Sequence, residues 1–259
     1  MNVTEFNRSA WNKQVERGNE WTVPVSSAEV DEARAGRWRI VLTPMKPVPH
    51  DWLPPLRGLD VLCLASGGGQ QGPILAAAGA NVTVFDNSEN QLKQDRSVAE
   101  RDKLNIETVQ GDMANLDVFP DAAFDAIVHP VSNVFVPDIL PVWKEAFRVL
   151  RKGGTLLAGF ANPVMHLIDY EGFAAHGRIE IKHPLPYSDV NSLSVSEKER
   201  YATEGIPMEF GHTLEAQIGG QIAAGFVITG FYEDSGRDSS SNPLHRYTST
   251  FVATRAMKP

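Results

Sequence analysis

Between residues 60 and 160 short apolar runs alternate with helix-like segments, and few architectures satisfy that alternation. "DVLCLA", from Asp60, is the pattern of a strand buried on both faces. "GPILAAAGA" follows, with Pro73 in a first helical turn and Gly79 just past the last. "NVTVFD" is a second strand, and "SENQLKQDRSVAERDKL" a helix that Ser88 and Gln91 open as a capping box. "NIETVQGD" and "FDAIVHPV" give strands three and four. "VPDILPVWKEAFRVLRKGG" is amphipathic, with Ile139, Val142, Trp143, Ala146, Phe147 and Leu150 on one stripe, and is expected to stop at Gly153–Gly154. "TLLAGF" is the fifth strand. Strands joined through helices pair in parallel, so the fold expected is α/β: a doubly wound, Rossmann-like sheet, mostly parallel, with helices on both faces.

The flanks divide the rest. Residues 1–57 read as a helical and irregular lid segment. There "TEFNRSAWNKQV" is a short helix with Phe6, Ala10 and Trp11 on one face, and "SSAEVDEARAG" carries a capping box, Ser26 to Glu29, and a stop at Gly36. "WRIVLT" is a short strand or an extended lead-in, and the proline-rich piece after it resists regular structure. Phe6, Trp11 and Trp21 are expected to be buried over a ligand. Residues 58–160 are the ligand-binding core, and residues 161–212 an insertion that breaks the alternation. Residues 213–259 complete the core with a helix, "HTLEAQIGGQIAAGF", and two strands, "FVITGFYED" and "TSTFVATRA". The polar loop "DSGRDSSSNP" between those strands makes them an antiparallel C-terminal hairpin.

In open α/β sheets ligands sit outside the carboxyl ends of the strands, where the winding reverses. "LASGGGQQG", Leu64 to Gly72, lies at the first such end, and Asp86, Asp112 and His129 fall at the others. Gly67, Gly69 and Gly72 fit G-x-G-x-x-G, and Asp86 follows about 20 residues on, as in a dinucleotide site. That reading accounts for neither "GDM" at 111–113 nor the terminal hairpin.

The order of elements over residues 58–255 resembles class I S-adenosylmethionine-dependent methyltransferases, most of all small bacterial ones acting on small molecules. The family's V-L-D-L-G-x-G-x-G motif maps onto "VLCLASGGG", its second acidic site onto Asp86 in "VFDNS", its third onto Asp112 and Met113. The strand-four motif maps onto "FDAIVHPVSN", and the turn before strand five onto "LRKGG". The resemblance implies S-adenosyl-L-methionine as cofactor, bound by Trp11, Ala65, Ser66, Gly67, Gly69, Asp86, Asn87, Ser88, Gln91, Gly111, Asp112, Met113 and His129. The Asp86 carboxylate can accept from both ribose hydroxyls and Asp112 from an adenine amino group, while the Met113 thioether can pack on the adenine face. The sequence departs from the family at Cys63, where Asp or Glu is usual, and at Ala65, where Gly is usual. A buried small hydrophobe is the expected role of Cys63, so another group must meet the cofactor's ammonium, with backbone carbonyls near Ala65 and His129 as candidates.

Methyl transfer aligns nucleophile, methyl carbon and sulfur, and needs a base only when the acceptor is protonated. His129 is a candidate base or packing residue, and Asn133 a candidate partner of the acceptor. "HPVSN" lacks the second proline and the aromatic of relatives that methylate amide or nucleobase amino groups. The insertion's aromatic and histidine residues are expected to line the acceptor pocket, with Tyr170, Tyr187 and His212 as its candidates. The histidines lack compact metal-ligand spacing, so no metal is expected. A net charge of -8 without a basic run argues against nucleic acid and for a small-molecule acceptor. No stretch reaches the roughly 20 apolar residues of a membrane span. The single Cys63 and an N-terminus without a signal-like apolar core suit a cytoplasmic protein, monomeric or homodimeric. An NAD-dependent oxidoreductase and a non-catalytic S-adenosylmethionine-binding protein are the alternatives.

Overall fold

The computed structural model describes residues 1–236 and 242–259; positions 237–241 of the expected polar loop lie outside the described residues. The chain opens with helices α1 (Val3–Glu16) and α2 (Ser27–Arg34), the latter begun by the expected Ser26–Glu29 capping box. "WRIVLT" forms no strand in the sheet. It is an extended lead-in whose strand-like pairing is an isolated bridge between Val41 and Pro47.

The core then winds as β1 (Asp60–Leu64), α3 (Gln71–Ala77), β2 (Asn81–Asp86), α4 (Glu89–Asp102), β3 (Ile106–Gln110), β4 (Phe124–His129), α5 (Leu140–Val149) and β5 (Leu150–Ala161). Val61 to Leu64 are buried on both faces, as an uninterrupted apolar run requires. Ser88 caps α4 by accepting from the Gln91 amide. The reciprocal half of the expected capping box is absent, because the Ser88 amide donates to Asp86 Oδ1 at 2.8 Å. Helix α5 has Pro141 in its first turn and ends at Val149, ahead of the expected glycine stop. Leu150 already pairs with Phe124, and Arg151 reaches Asp60 and Asp125 on the neighbouring strands, each at 2.8 Å. Those ion pairs draw the segment into the sheet.

Residues 161–212 are not a plain excursion. They form α6 (Tyr170–His176), β6 (Tyr187–Ser188), α7 (Asp189–Ser192), α8 (Val195–Glu204) and β7 (Phe210–Gly211), with β6 and β7 paired antiparallel. The next helix begins as a wide π-turn over Glu215–Gly219 and tightens into α9 (Gly220–Ala224). Gly220 lies against Trp143, where a Cβ would stand 2.8 Å from the indole Cδ1. β8 (Val227–Asp234) and β9 (Phe251–Met257) close the chain as the expected antiparallel pair.

The seven-stranded sheet has the order β3-β2-β1-β4-β5-β9-β8, with β9 alone reversed. One face is covered by α3, α4 and residues 40–56, which bury Ile40, Leu42, Trp52, Ile74, Leu75 and Leu92 against β1, β2 and β4. The other face carries α5 and Phe226, with Val142, Trp143 and Ala146 packed on Leu62, Leu64 and Ile127. The winding reverses between β1 and β4, so a crevice opens at their carboxyl ends.

Candidate active site

At the end of β1 the backbone turns sharply. Ala65 has φ +46°, Gly68 +118° and Gly69 +73°. The left-handed conformation is thus kept at position 65 although an alanine stands there, at a steric cost of about 1 kcal/mol. Gly67 has no room for a side chain, since a Cβ would lie 2.8 Å from Gln91 Cβ and 3.1 Å from Asp86 Cγ. The loop therefore rests directly on the start of α4.

Two carboxylates hold it there. Gly67 N donates to Asp86 Oδ2 and Gly68 N to Asp95 Oδ2, each at 2.9 Å. Asp95 projects from α4 and is fully buried; burial pushes its carboxyl up to about 7, against the pull of those amides. It stands beside Cys63, whose thiol burial also pushes up. The acid that orients this loop thus comes from the helix. Sequence reasoning missed Asp95, though its spacing from Gln91, Leu92 and Val98 placed a charged residue on the buried stripe of α4.

Asp86 ends β2. Burial raises its carboxyl, and amide donors from Ser88 and Gly67 oppose that. Asp112 accepts from Ala114 N and from Thr4 Oγ1, each at 2.9 Å. Gly111 is required by the packing, as a Cβ would fall 2.2 Å from the Phe85 ring. Ser66 Oγ and Gln91 Oε1 are buried without partners. Asp86, Asp112, Met113, Ser66 and Gln91 all line one cavity of about 320 Å³. Paired carboxylates, two unsatisfied polar atoms and a cradle closed to any Cβ fit a nucleoside with an amino-acid tail.

The N-terminal segment covers this cavity. Thr4, Asn7 and Trp11, one face of α1, line it together with Trp21. Trp11 packs edge-on against Phe135, ring centroids 5.1 Å apart. Asn87 donates to the Thr4 carbonyl at 2.7 Å and Ser88 Oγ to Asn12 Oδ1 at 2.7 Å. Asn7, 3% exposed, donates to the Phe135 and Met208 carbonyls and accepts from Met208 N. Trp21 departs from expectation: its indole is 43% exposed, because residues 20–25 lie over the outside of the glycine loop.

Several expected acceptor residues are interior instead. His129 is fully buried, with Nδ1 2.8 Å from the Leu64 carbonyl and Nε2 bonded to the Asn133 side chain; Asn133 in turn donates to Gln217. Burial pushes the His129 ring below its ordinary range. Neither residue lines the cavity, and neither has a side-chain atom left for an acceptor. His212 Nε2 spans the Asn133 and Val136 carbonyls at 3.0 and 2.9 Å and so pins the turn that carries Phe135. Tyr170 stands away from the wall with its hydroxyl pushed up to about 12 by burial, and Tyr187 donates to Asp189 Oδ1 at 2.6 Å. The insertion reaches the cavity through Ala161, Met165, His166 and Glu209. The Tyr187 ring stacks behind His166, centroids 5.3 Å apart. Among the described residues no group of three metal-binding side chains converges.

A seven-stranded sheet of this order, with a glycine loop and two acids along its carboxyl edge, defines the class I methyltransferase fold. The family described as "Methyltransferase domain" matches residues 62–158. The chain belongs to the S-adenosylmethionine-dependent methyltransferases, and S-adenosylmethionine is its cofactor. It is 56% identical over 256 residues to the uncharacterized methyltransferase YbaJ of Bacillus subtilis, covering 99% of this chain and 98% of that one. A shorter match, 37% over 100 residues, is to the sterol 24-C-methyltransferase erg6 of Aspergillus fumigatus, covering 38% of this chain and 26% of that protein. In fold it is similar to an S-adenosylmethionine dependent methyltransferase from Mesorhizobium loti, with a TM-score of 0.61, 19% identity, and 80% and 94% of the two chains covered. Among the described residues no helix is long and apolar enough to cross a membrane.

Proposed function

We propose that this chain moves the methyl group of S-adenosylmethionine to a small-molecule nucleophile by in-line displacement. The observation that carries the reading is one continuous cavity along the carboxyl edge. It runs from Asp86 and Asp112 at the ends of β2 and β3 to Ala161, Met165 and His166 beyond β5. The cofactor supplies an electrophilic methyl group. Asp86 holds the ribose hydroxyls with the lone pairs its amide donors leave free, and Asp112 with Met113 holds the adenine. Ser66 Oγ and Gln91 Oε1 gain the partners they lack. Helix α1 excludes water from the reacting atoms. Residues 161–212 supply the acceptor wall through Met165, His166 and Glu209, with Tyr187 and His212 bracing it from behind.

Asp86→Ala tests the cofactor placement. Loss of hydrogen bonds to a charged group is worth about 1.5–3 kcal/mol, so calorimetric affinity for S-adenosylmethionine should fall about 10- to 150-fold in a protein that remains folded. Unchanged affinity refutes the placement, and tighter binding of NAD than of S-adenosylmethionine refutes the reaction class.

A further inference from the structure

Glu209 and His166 stand apart from every other ionisable side chain on the cavity wall. Asp86 and Asp112 belong to the end under β2 and β3, while Ala161, which ends β5, marks the other. Three strand steps separate β2 from β5, about 14 Å at the usual spacing. Among the described residues no lysine or arginine lines the cavity. An acceptor bearing a carboxylate or phosphate would find no lysine or arginine to pair with there, and would meet Glu209.

The pair is built into the wall. His166 Nε2 lies 3.5 Å from Glu209 Oε2. The ring is clamped between Tyr187 and the backbone of Gly211, where a Cβ would stand 2.8 Å from His166 Cγ. His166 Nδ1 is buried and has no partner, and Nε2 is the ring nitrogen that faces Glu209. The Glu209 amide is fixed to Asp189 Oδ2 at 2.6 Å, while its side chain stays 47% exposed. Met165, Phe251, Phe135 and Pro44 leave the neighbouring wall apolar. One hydrated carboxylate on a surface of aromatic and aliphatic groups is a receptor for a cation with an apolar body.

We propose that the acceptor is a small primary or secondary amine with an apolar body, bound as its ammonium by Glu209; this rests on the methyltransferase reading above. His166 is a positioning residue that fixes the carboxylate. With the cofactor bound, the positive charge of its sulfonium would oppose that of the ammonium and favour passage of the proton to Glu209. One N–H bond breaks, its pair stays on nitrogen, and the proton passes to Glu209 and from its exposed side to water. That pair forms the N–CH3 bond, the C–S pair leaves with sulfur, and the product nitrogen carries the single positive charge.

The test uses the full chain saturated with S-adenosylhomocysteine, titrated calorimetrically with phenethylamine, 2-phenylethanol and phenylacetate. The amine should bind about tenfold or more tightly than the alcohol, the scale of one charge-assisted hydrogen bond, and the acid most weakly. Glu209→Gln should erase the preference while S-adenosylhomocysteine affinity stays within about twofold. His166→Phe keeps the ring stack but removes the nitrogen that faces Glu209; it should reduce the preference partway, which a merely structural ring would not. Equal or tighter binding of the alcohol or acid overturns the proposal, as does a preference that survives Glu209→Gln or the failure of all three to bind. Failure of the wild type to bind S-adenosylhomocysteine instead overturns the underlying methyltransferase reading.

Discussion

Replacing Asn7 by alanine should unfasten α1 from the site. Three hydrogen bonds converge on that amide: to the Phe135 carbonyl at 2.9 Å, to the Met208 carbonyl at 3.1 Å, and from Met208 N at 2.8 Å. At a net contribution of about 1 kcal/mol each, their loss costs about 3 kcal/mol; backbone groups left dry add to that, and water entering the gap subtracts. The same figure is a change of about 150-fold in the docking equilibrium of α1. Denaturant titration should show stability lower by about 2–4 kcal/mol. Hydrogen exchange over residues 3–16 should quicken about 100-fold, and S-adenosylmethionine affinity should fall because Thr4 and Trp11 leave the wall. Asn7→Asp should be worse than alanine, because it sets a carboxylate against two carbonyl oxygens. A stability change under about 1 kcal/mol with α1 still protected refutes the reasoning.

Two further outcomes follow from neighbouring contacts. The Asp95 carboxyl is raised to about 7 in the fold against an ordinary 3.8, so its protonated form is favoured there and its stabilisation is complete below pH 4 and lost as pH rises to 7. The spread corresponds to about 4 kcal/mol, so the stability of Asp95→Asn relative to wild type should improve across that window; a constant difference between their denaturation curves sinks the assignment. Gly159→Ala would put a Cβ 2.2 Å from the Leu42 carbonyl, which itself accepts from Val131 N. The 40–44 segment should lift from β5 at about 1–3 kcal/mol, read as a lowered Tm, and an unchanged Tm refutes the close approach.

How much of this was legible in the sequence depended on whether the cause was local. β1 to β4 and α4 were readable because apolar period and capping residues lie within one short window. The end of α5 was not, because Asp60 and Asp125, on other strands, draw Arg151 into β5. Asp86, Asp112 and Met113 were found through motif order, and all three line the cavity. His129 looked available from its strand-end position, yet the ring is consumed by Leu64 and Asn133. Within the insertion, composition signalled a wall but not which side chains face inward: Tyr187 backs His166, and Glu209 was hidden among surface acids. Nothing in the local pattern around Asn7 names Met208 as its partner.

That partnership has a kinetic consequence. Asn7 and Met208 are 201 positions apart. The buried amide of α1 therefore gains one of its three bonds when Phe135 has been made and the other two only with Met208. Closing so long a loop is slow relative to helix formation, so α1 forms early and docks late. The sheet, whose parallel strands are near neighbours in sequence, can assemble beneath it with the crevice still open. The docking of α1 and the covering of the crevice are then the same event, and a nascent chain stalled before residue 208 would carry the cofactor motifs without the cover that α1 provides.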